Sequence, residues 1–388
     1  MNRQPLFWNL KGFLFLVGAM NTFVVSYFPL YFKHVGLTTS EIGMFLALGT
    51  FVGLFGQPFW GLLSDKYKTV KKIVNVVLFG SVLGLVWIFQ LSHIAWIFVA
   101  GSFFYLFYNA LFPLSENLTK RLADQNGVSF GSIRSWAAVG FALVSLLSGF
   151  LFAKIGIQYI AFPMIFLGAI TFLLSLRLTD AKTGTKKMDF KQMGAFFKNP
   201  TLLLFFLLVS FISLTHRMND SFISLYLFDI GGDETLVGWL WFMAVASEAI
   251  MFFTATVWFR PQKPIQYIIL SGFLYMGRWI VIGFISNPLH LIVVQVLHGV
   301  CYAIFFMGAI EYLYKRLPTE MQATGHMVFM LIVFGVTGII GSLAGGFIFD
   351  AYGGATLYFI MAAFTFIGIA GLVYFNTKKD PAPVLVSD

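Results

Sequence analysis

The chain has 388 residues, 59% of them hydrophobic and 11% charged, with a formal net charge of +9 and a mean hydropathy of +0.85. Soluble domains carry about 25% charged residues, so this composition excludes an ordinary water-soluble fold, and 48 Phe point the same way. The basic residues are scattered through short loops and form no patch, which argues against a nucleic-acid partner and for orientation signals in a membrane protein. A single cysteine, Cys301, excludes an internal disulfide framework and a cysteine-based metal site.

A helix crosses the hydrocarbon core with about 20 apolar residues. In chain order that criterion gives twelve spans: 8–32, 41–63, 71–91, 94–119, 129–153, 157–176, 200–228, 236–259, 265–285, 288–313, 322–348 and 353–376. The first stretch exceeds a signal-peptide core of about 7–15 residues and no small-residue cleavage site follows it, so it is expected as a retained span. The breaks between spans are short and marked by Gly, Pro, Asn or charge. The exception is the polar, basic segment 177–199, which divides the chain into two sets of six. The expected organisation is a six-helix half over 1–176, a linker over 177–199, a second half over 200–376 and a tail over 377–388.

The Lys and Arg positions test that count. With both termini in the cytoplasm, the inner loops hold Lys66, Lys68, Lys71, Lys72, Lys120, Arg121, Arg260, Lys263, Lys315 and Arg316. The linker adds Lys182, Lys186, Lys187, Lys191 and Lys198, and the tail Lys378 and Lys379. The outer loops hold only Lys33 and Lys154. This is the asymmetry of the positive-inside rule, and one span more or fewer would scramble it. The expected location is the plasma membrane, as a multi-pass protein of a bacterial inner membrane.

Between spans two and three, the run from Gly56 to Lys72 reads GQPFWGLLSDKYKTVKK. Through Gly61, Asp65 and Lys66 it resembles the G-x-x-x-D-[RK]-x-x-[RK] signature of major facilitator transporters, whose fold is also six plus six helices. The resemblance implies a gating role for Gly61, Asp65 and Lys66. Physically, Gly61 suits close approach of a neighbouring helix, and Asp65 suits the positive end of a helix or a nearby cation. A basic loop that only sets topology is the simpler reading of the same residues. The corresponding loop of the second half, Arg260 to Lys263, lacks the Gly and the Asp.

A closer resemblance is to the lactose permease branch, with its nucleoside and phenylpropionate relatives. QPFWGLLSDK, the run from Phe130 to Phe141, and the run from Leu317 to Gly325 all resemble that branch. Glu116 and Arg134 have the 18-residue separation of the branch's sugar-binding pair, and Arg278 and His298 the 20-residue separation of an Arg and a His in its ninth and tenth spans. The departures are specific. Cys301 stands where the permeases carry a buried proton-carrying Glu, and Gln295 where they carry Lys. Phe141 replaces the Trp that stacks on galactosides, Ala244 falls at the eighth-span acid with Glu248 one turn on, and Arg217 stands where the seventh span has an acid.

The residues themselves carry the rest. A mid-membrane Arg, Lys or Asp costs about 2.5–3.5 kcal/mol even on lenient scales, so such residues face a bundle interior or an aqueous cavity and are functional candidates. Glu116 and Arg134 suit substrate contact or a structural ion pair. His216 and Asp220 share a face at i,i+4, while Arg217 reaches Asp220 at i,i+3, as a clamp, a substrate site or, for Arg217, a gate. Glu248 is the expected proton carrier, with Arg278 tuning it and His298 orienting it or binding substrate; a static buried triad is the alternative. Trp136, Phe141, Tyr27 and Asn21 suit either a cavity wall or packing. Glu311 and Lys315 suit an i,i+4 surface pair. The glycines of span eleven, Gly335 to Gly346, suit close helix contacts.

The expected function is therefore secondary transport: a proton-coupled symporter importing a small polar organic solute such as a sugar, nucleoside or aromatic acid. The alternative is a drug or metabolite exporter of the same fold, working as a proton antiporter. A non-transporting sensor would tolerate replacement of every mid-membrane charge. No H-E-x-x-H, G-x-S-x-G or paired metal ligands appear in the sequence, so no enzyme, cofactor or metal is expected. The expected partners are the solute, protons and the lipid bilayer, with the chain as a monomer.

Overall fold

Apolar length dictates the architecture, because a backbone in hydrocarbon must satisfy its own N–H and C=O groups and a helix does so within one segment. The computed structural model describes residues 3–181, 196 and 199–377. Among these residues twelve helices are long and apolar enough to cross a membrane: α1 (Phe7–His34), α2 (Thr39–Lys66), α3 (Val70–Ile88), α4 (Ile94–Asn126), α5 (Phe130–Ile155), α6 (Ile157–Arg177), α7 (Pro200–Asp229), α8 (Glu234–Phe253), α9 (Pro264–Phe284), α10 (Pro288–Arg316), α11 (Thr319–Tyr352) and α12 (Gly354–Thr377). The fold is all-α, and no strand occurs among the described residues. The lysines expected in the linker and tail, Lys182 to Lys198 with Lys378 and Lys379, lie outside the described residues. Large apolar side chains stand outward, Phe253 at 89% exposure and Phe284 at 76%. Lipid is the solvent that makes such a surface stable.

Helix ends differ from expectation where polar residues continue a helix past the apolar stretch. α4 runs on through Thr119 to Asn126 and stops only at Gly127, whose φ of +66° is open to glycine at little cost. α8 is shorter than the expected 236–259: it ends at Phe253, and a separate turn, Ala255–Trp258, follows. Thr38 and Glu41 cap α2 reciprocally, Glu41 N donating to Thr38 Oγ1 (3.2 Å) and Thr38 N to Glu41 Oε2 (2.8 Å). α1 and α11 each carry a π-helical stretch, Phe23–Tyr27 and Leu331–Val336.

Two compact units account for the chain. The first holds Met1–Lys186 with Gly232–Phe242, and the second Lys187–Gly231 with Met243–Asp388. In the first, α1 packs on α5 and α6, α4 on α2 and α3, and α3 on α6. The α1–α5 crossing is set by two glycines: a Cβ at Gly18 would lie 2.0 Å from the Ala137 carbonyl oxygen, and one at Gly140 would lie 2.0 Å from that of Phe15. Residues Gly232–Phe242 join this unit through α5, where Ser145 Oγ donates to Gly238 O (3.2 Å). In the second unit, α9 packs on α10 and α12, and α7 on α11 and α12. The expected close contacts of span eleven are made there, Gly341 and Gly345 lying against Met218 and Phe222 of α7.

The loop between α2 and α3 corrects two expectations. A Cβ at Gly61 would meet nothing within 4 Å. The close approach belongs instead to Gly49, Gly53 and Gly56, one face of α2, against Tyr105, Asn109 and Leu106 of α4. Nor does Asp65 cap a helix: it is exposed and its carboxylate makes no ion pair among the described residues. The acid at the start of α3 is Asp180, just beyond α6. Its carboxylate accepts from Thr69 Oγ1, from Val70 N (3.1 Å) and Lys71 N (3.0 Å), and from its neighbour Ala181 N (2.9 Å). Lys71 Nζ answers by donating to Leu176 O (2.9 Å).

Burial alone would raise the Asp180 carboxyl, but the bonds from Thr69, Lys71, Ala181 and Val70 outweigh it and hold the group below the ordinary carboxylate range. A carboxyl lowered by folding stabilises fully above its unfolded pKa and loses that contribution as pH falls through the folded value. Asp180→Ala is therefore expected to lower the stability of the detergent-purified protein by about 1 kcal/mol at neutral pH. The gap to wild type should close as pH drops below the carboxylate range, read by thermal melts across pH. A pH-independent gap would contradict this account.

Candidate functional site

Among the described residues, the ion-paired side chains of the spans form two groups, one in each unit. In the first unit Arg134 Nε donates to Glu116 Oε1 at 2.5 Å, with the side chains 58% and 26% exposed. In water an ion pair that exposed adds about 0–1 kcal/mol, so it does little for folding. Asn21 accepts from Tyr108 OH (3.0 Å). Phe141 is 8% exposed, its ring edge-on to Trp241 at 6.0 Å and its carbonyl bonded by Thr22. Tyr27, one turn further along α1, donates to Ser145 O (2.8 Å). Trp136 packs edge-on to Trp8 and completes an aromatic surround with Phe7 for Lys11 Nζ, 5.4 Å from its ring. Of the loop residues, Asp65 and Lys66 are exposed.

The second unit holds the denser group. α7 presents His216, Arg217 and Asp220 within one turn. Asp220 Oδ2 accepts from Arg217 Nη1 (3.1 Å), and His216 Nε2 lies 3.4 Å from the same oxygen. Both pairings expected from helical spacing are therefore present together. The far ring nitrogen of His216, Nδ1, is bonded to Tyr275 OH of α9 (3.0 Å), which fixes the ring so that Nε2 faces the carboxylate. α10 brings His298, whose ring centroid is 5.1 Å from that of His216, and Tyr302, stacked on His216 at 5.0 Å and 9°. His216 and His298 are 6% and 5% exposed. α12 reaches in with Tyr358, whose hydroxyl donates to Asn219 Oδ1 (3.3 Å).

Ligand atoms of His216, Asp220 and His298 all lie within 4.8 Å of one another, a spacing that one small cation can bridge. Arg217 already occupies the carboxylate oxygen. Its guanidinium charge weighs against a divalent ion, since like charges repel strongly in a poorly solvated interior.

Arg278 bonds Gln295 of α10. No ion pair joins it to Glu248; its Nη2 donates to Gln295 Oε1 (2.6 Å), and its guanidinium sits over Trp279. Glu248 is half-buried on α8, where the Ser247–Glu248 backbone crosses α10 at Gly299, next to His298. At that crossing Gly299 N donates to Ser247 Oγ (3.1 Å). The expected Glu311–Lys315 pair is not made, because Lys315 Nζ donates to Pro261 O instead.

A match to the MFS_1 like family runs over residues 7–361, from α1 into α12 and through every group just described. The chain belongs to that family. It is similar to a protein of Bacillus subtilis (strain 168) named "Uncharacterized transporter YwbF", 26% identical over 96% of this chain and 93% of that one. It is also similar to the "Probable 3-phenylpropionic acid transporter" of Escherichia coli (strain K12), 24% identical over 92% and 95%. In structure it superposes on the nucleoside transporter NupG with a TM-score of 0.87 over 98% of this chain and 100% of that chain, at 16% identity, a likeness of fold. As an MFS_1 like protein it is a secondary transporter of the major facilitator fold, multi-pass in the membrane, and not an enzyme. The similarity spreads over several distant branches and singles out no substrate family, which is coarser than the resemblance to the lactose permease branch implies.

For this MFS_1 like chain, sequence reasoning passed over Tyr275, Tyr302, Asn219 and Tyr358. Tyr275 precedes Arg278 by three residues and Tyr302 follows His298 by four, so helical spacing from the charged residues points to both. Nothing in the sequence links Asn219 to Tyr358, 139 residues away.

Proposed function

We propose that the chain is a proton-coupled symporter that imports a small polar organic solute, a sugar, nucleoside or aromatic acid, by alternating access. The observation that carries this reading is the His216–Asp220–His298 group, its two histidines buried, inside membrane-spanning helices, since intramembrane titratable clusters mark proton and solute paths. Glu248, beside the α8–α10 crossing, hands protons to and from this group through His298, and the positive charge of Arg278 sets how readily they are held. His216 and Asp220 also contact the solute. In the first unit the Glu116–Arg134 pair, with Asn21, Phe141 and Trp136, supplies further solute contacts. Gly61, Asp65 and Lys66 in the α2–α3 loop, and Arg217 on α7, act in gating. The two functional halves are residues 1–176 and 200–376, joined by 177–199. The protein works as a monomer in a bacterial plasma membrane, with both termini in the cytoplasm. Support for the solute range comes from the relatives' names, which span an aromatic acid and a nucleoside.

The test is uptake into proteoliposomes across a panel of sugars, nucleosides and aromatic acids, followed by a pH electrode. Symport predicts alkalinisation outside on solute addition. Ligand-coupling free energies of about 1–3 kcal/mol correspond to 5–150-fold effects, so an imposed inward proton gradient should raise uptake within that range. Glu248→Gln should abolish the response. Acidification outside would mean antiport, and uptake indifferent to both the gradient and Glu248→Gln would remove the proton from the mechanism.

A further inference from the structure

The donors around Arg278 do not balance. Its side chain is 1% exposed and that of Gln295 is fully buried. One bond joins them, Arg278 Nη2 to Gln295 Oε1 at 2.6 Å. Because a guanidinium only donates, this bond fixes the Gln295 amide with its oxygen toward Arg278 and its nitrogen turned away. Arg278 Nε and Nη1 and Gln295 Nε2 then find no acceptor on the protein. Buried polar groups are almost always paired, so such a set asks for a partner. Every unmatched atom here is a donor, so the missing partner is an acceptor.

Charge narrows the choice. Arg278 forms no ion pair with any described acid. Asp220, the acid of the neighbouring α7 group, is engaged by Arg217 and by His216. An arginine buried without a counter-anion is costly, and an anion that supplies charge and acceptor oxygens together removes both deficits. A carboxylate has the right valence. Two oxygens accept from the guanidinium and from the Gln295 amide, whereas a neutral hydroxyl or carbonyl leaves the charge unmatched. The side chains beside Arg278 are aromatic: Trp279 lies under the guanidinium at 4.7 Å, Tyr275 stacks on Trp279 at 5.4 Å, and Tyr358 lies 5.9 Å from Trp279. The group adjoins the proposed proton site, since Tyr275 bonds His216, and Arg217 of that site is 28% exposed.

We infer that Arg278 and Gln295 form the docking site for the carboxylate of an organic monocarboxylate, with Trp279, Tyr275 and Tyr358 walling its apolar part. This rests on the transport reading and names the solute class within it.

The test pairs an acid with its neutral isostere. Calorimetric binding of 3-phenylpropionate and of 3-phenylpropionamide is measured on the full chain in detergent, alongside proteoliposome uptake of labelled 3-phenylpropionate, uridine and maltose. The acid should bind more tightly than the amide by about tenfold or more, since loss of a charge-assisted pair is worth at least that factor. Arg278→Gln should remove the difference. Gln295→Glu supplies a built-in carboxylate to Arg278, so it should fold at least as stably as wild type yet lose acid binding, which keeps the test informative if Arg278→Gln fails to fold. Equal binding of acid and amide overturns the inference, and so does Gln295→Glu that keeps acid binding. Uptake of uridine or maltose with no binding of the acid overturns the carboxylate site while leaving the transport reading standing. No binding and no uptake of any probe overturns the site and counts against the transport reading as well.

Discussion

Gly299→Ala is expected to abolish transport and to destabilise the protein more than any surface substitution. A Cβ at this position would lie 2.0 Å from Glu248 N and 2.4 Å from both Glu248 Cα and Ser247 C. These are backbone atoms of α8, so no side-chain rotation can relieve the clash and the two helices must part. Overpacking typically costs about 1–3 kcal/mol, and a backbone-to-backbone clash falls at or above the upper end. Separation also breaks the Gly299 N to Ser247 Oγ bond and shifts Glu248 relative to His298. Gly61→Ala is the control, since a Cβ there meets nothing and alanine gains up to about 1 kcal/mol of helix propensity over glycine. Thermal melts in detergent should show a large drop for the first and none for the second. A Gly299→Ala protein with wild-type melting and uptake would show that the α8–α10 crossing does not hold the site.

The second large effect centres on Asp220. Asp220→Ala removes the acceptor of Arg217 and the carboxylate beside His216, leaving a guanidinium that is only 28% exposed. Breaking a fully buried pair costs about 3–5 kcal/mol. Partial exposure of Arg217 reduces this to about 1–3 kcal/mol, because solvent screens part of the unpaired charge. The double change Arg217→Ala with Asp220→Ala should regain much of that stability, the signature of an unpaired charge and not of lost packing. Asp220→Asn retains an acceptor for Arg217 and should melt close to wild type. Uptake separates the roles. All three variants should lose proton-driven uptake, since none carries an ionisable group at 220, whereas a purely structural Asp220 predicts normal coupling in the asparagine variant.

The spans were legible because hydrocarbon enforces a length and a composition that few other segments share, and every expected span corresponds to a helix. The His216–Arg217–Asp220 group was legible for a similar reason: helical periodicity fixes neighbours three and four residues away. What stayed hidden required knowing which helix faces meet. GQPFWGLLSDK contains Gly56 and Gly61, and only the structure separates the one pressed on Leu106 from the one in open space. Arg278 and Gln295 sit on adjacent helices 17 residues apart, and residue type alone made Glu248 the more obvious partner. Trp136 suited either a cavity wall or packing, and nothing in the sequence placed Lys11 and Trp8 beside it.

Asp180 was invisible for the same reason, as one acid in a basic stretch, yet its bonds bear on the order in which the molecule is made. The start of α3 is held by a residue that follows α6, so the N–H groups of Val70 and Lys71 stay without that acceptor until about a hundred further residues have left the ribosome. A nascent chain ending at Arg177 contains six spans but lacks the carboxylate that accepts from the start of α3. Three residues more supply it. The N-terminus of the third span is thus satisfied only after the sixth has been made, and before α7 begins.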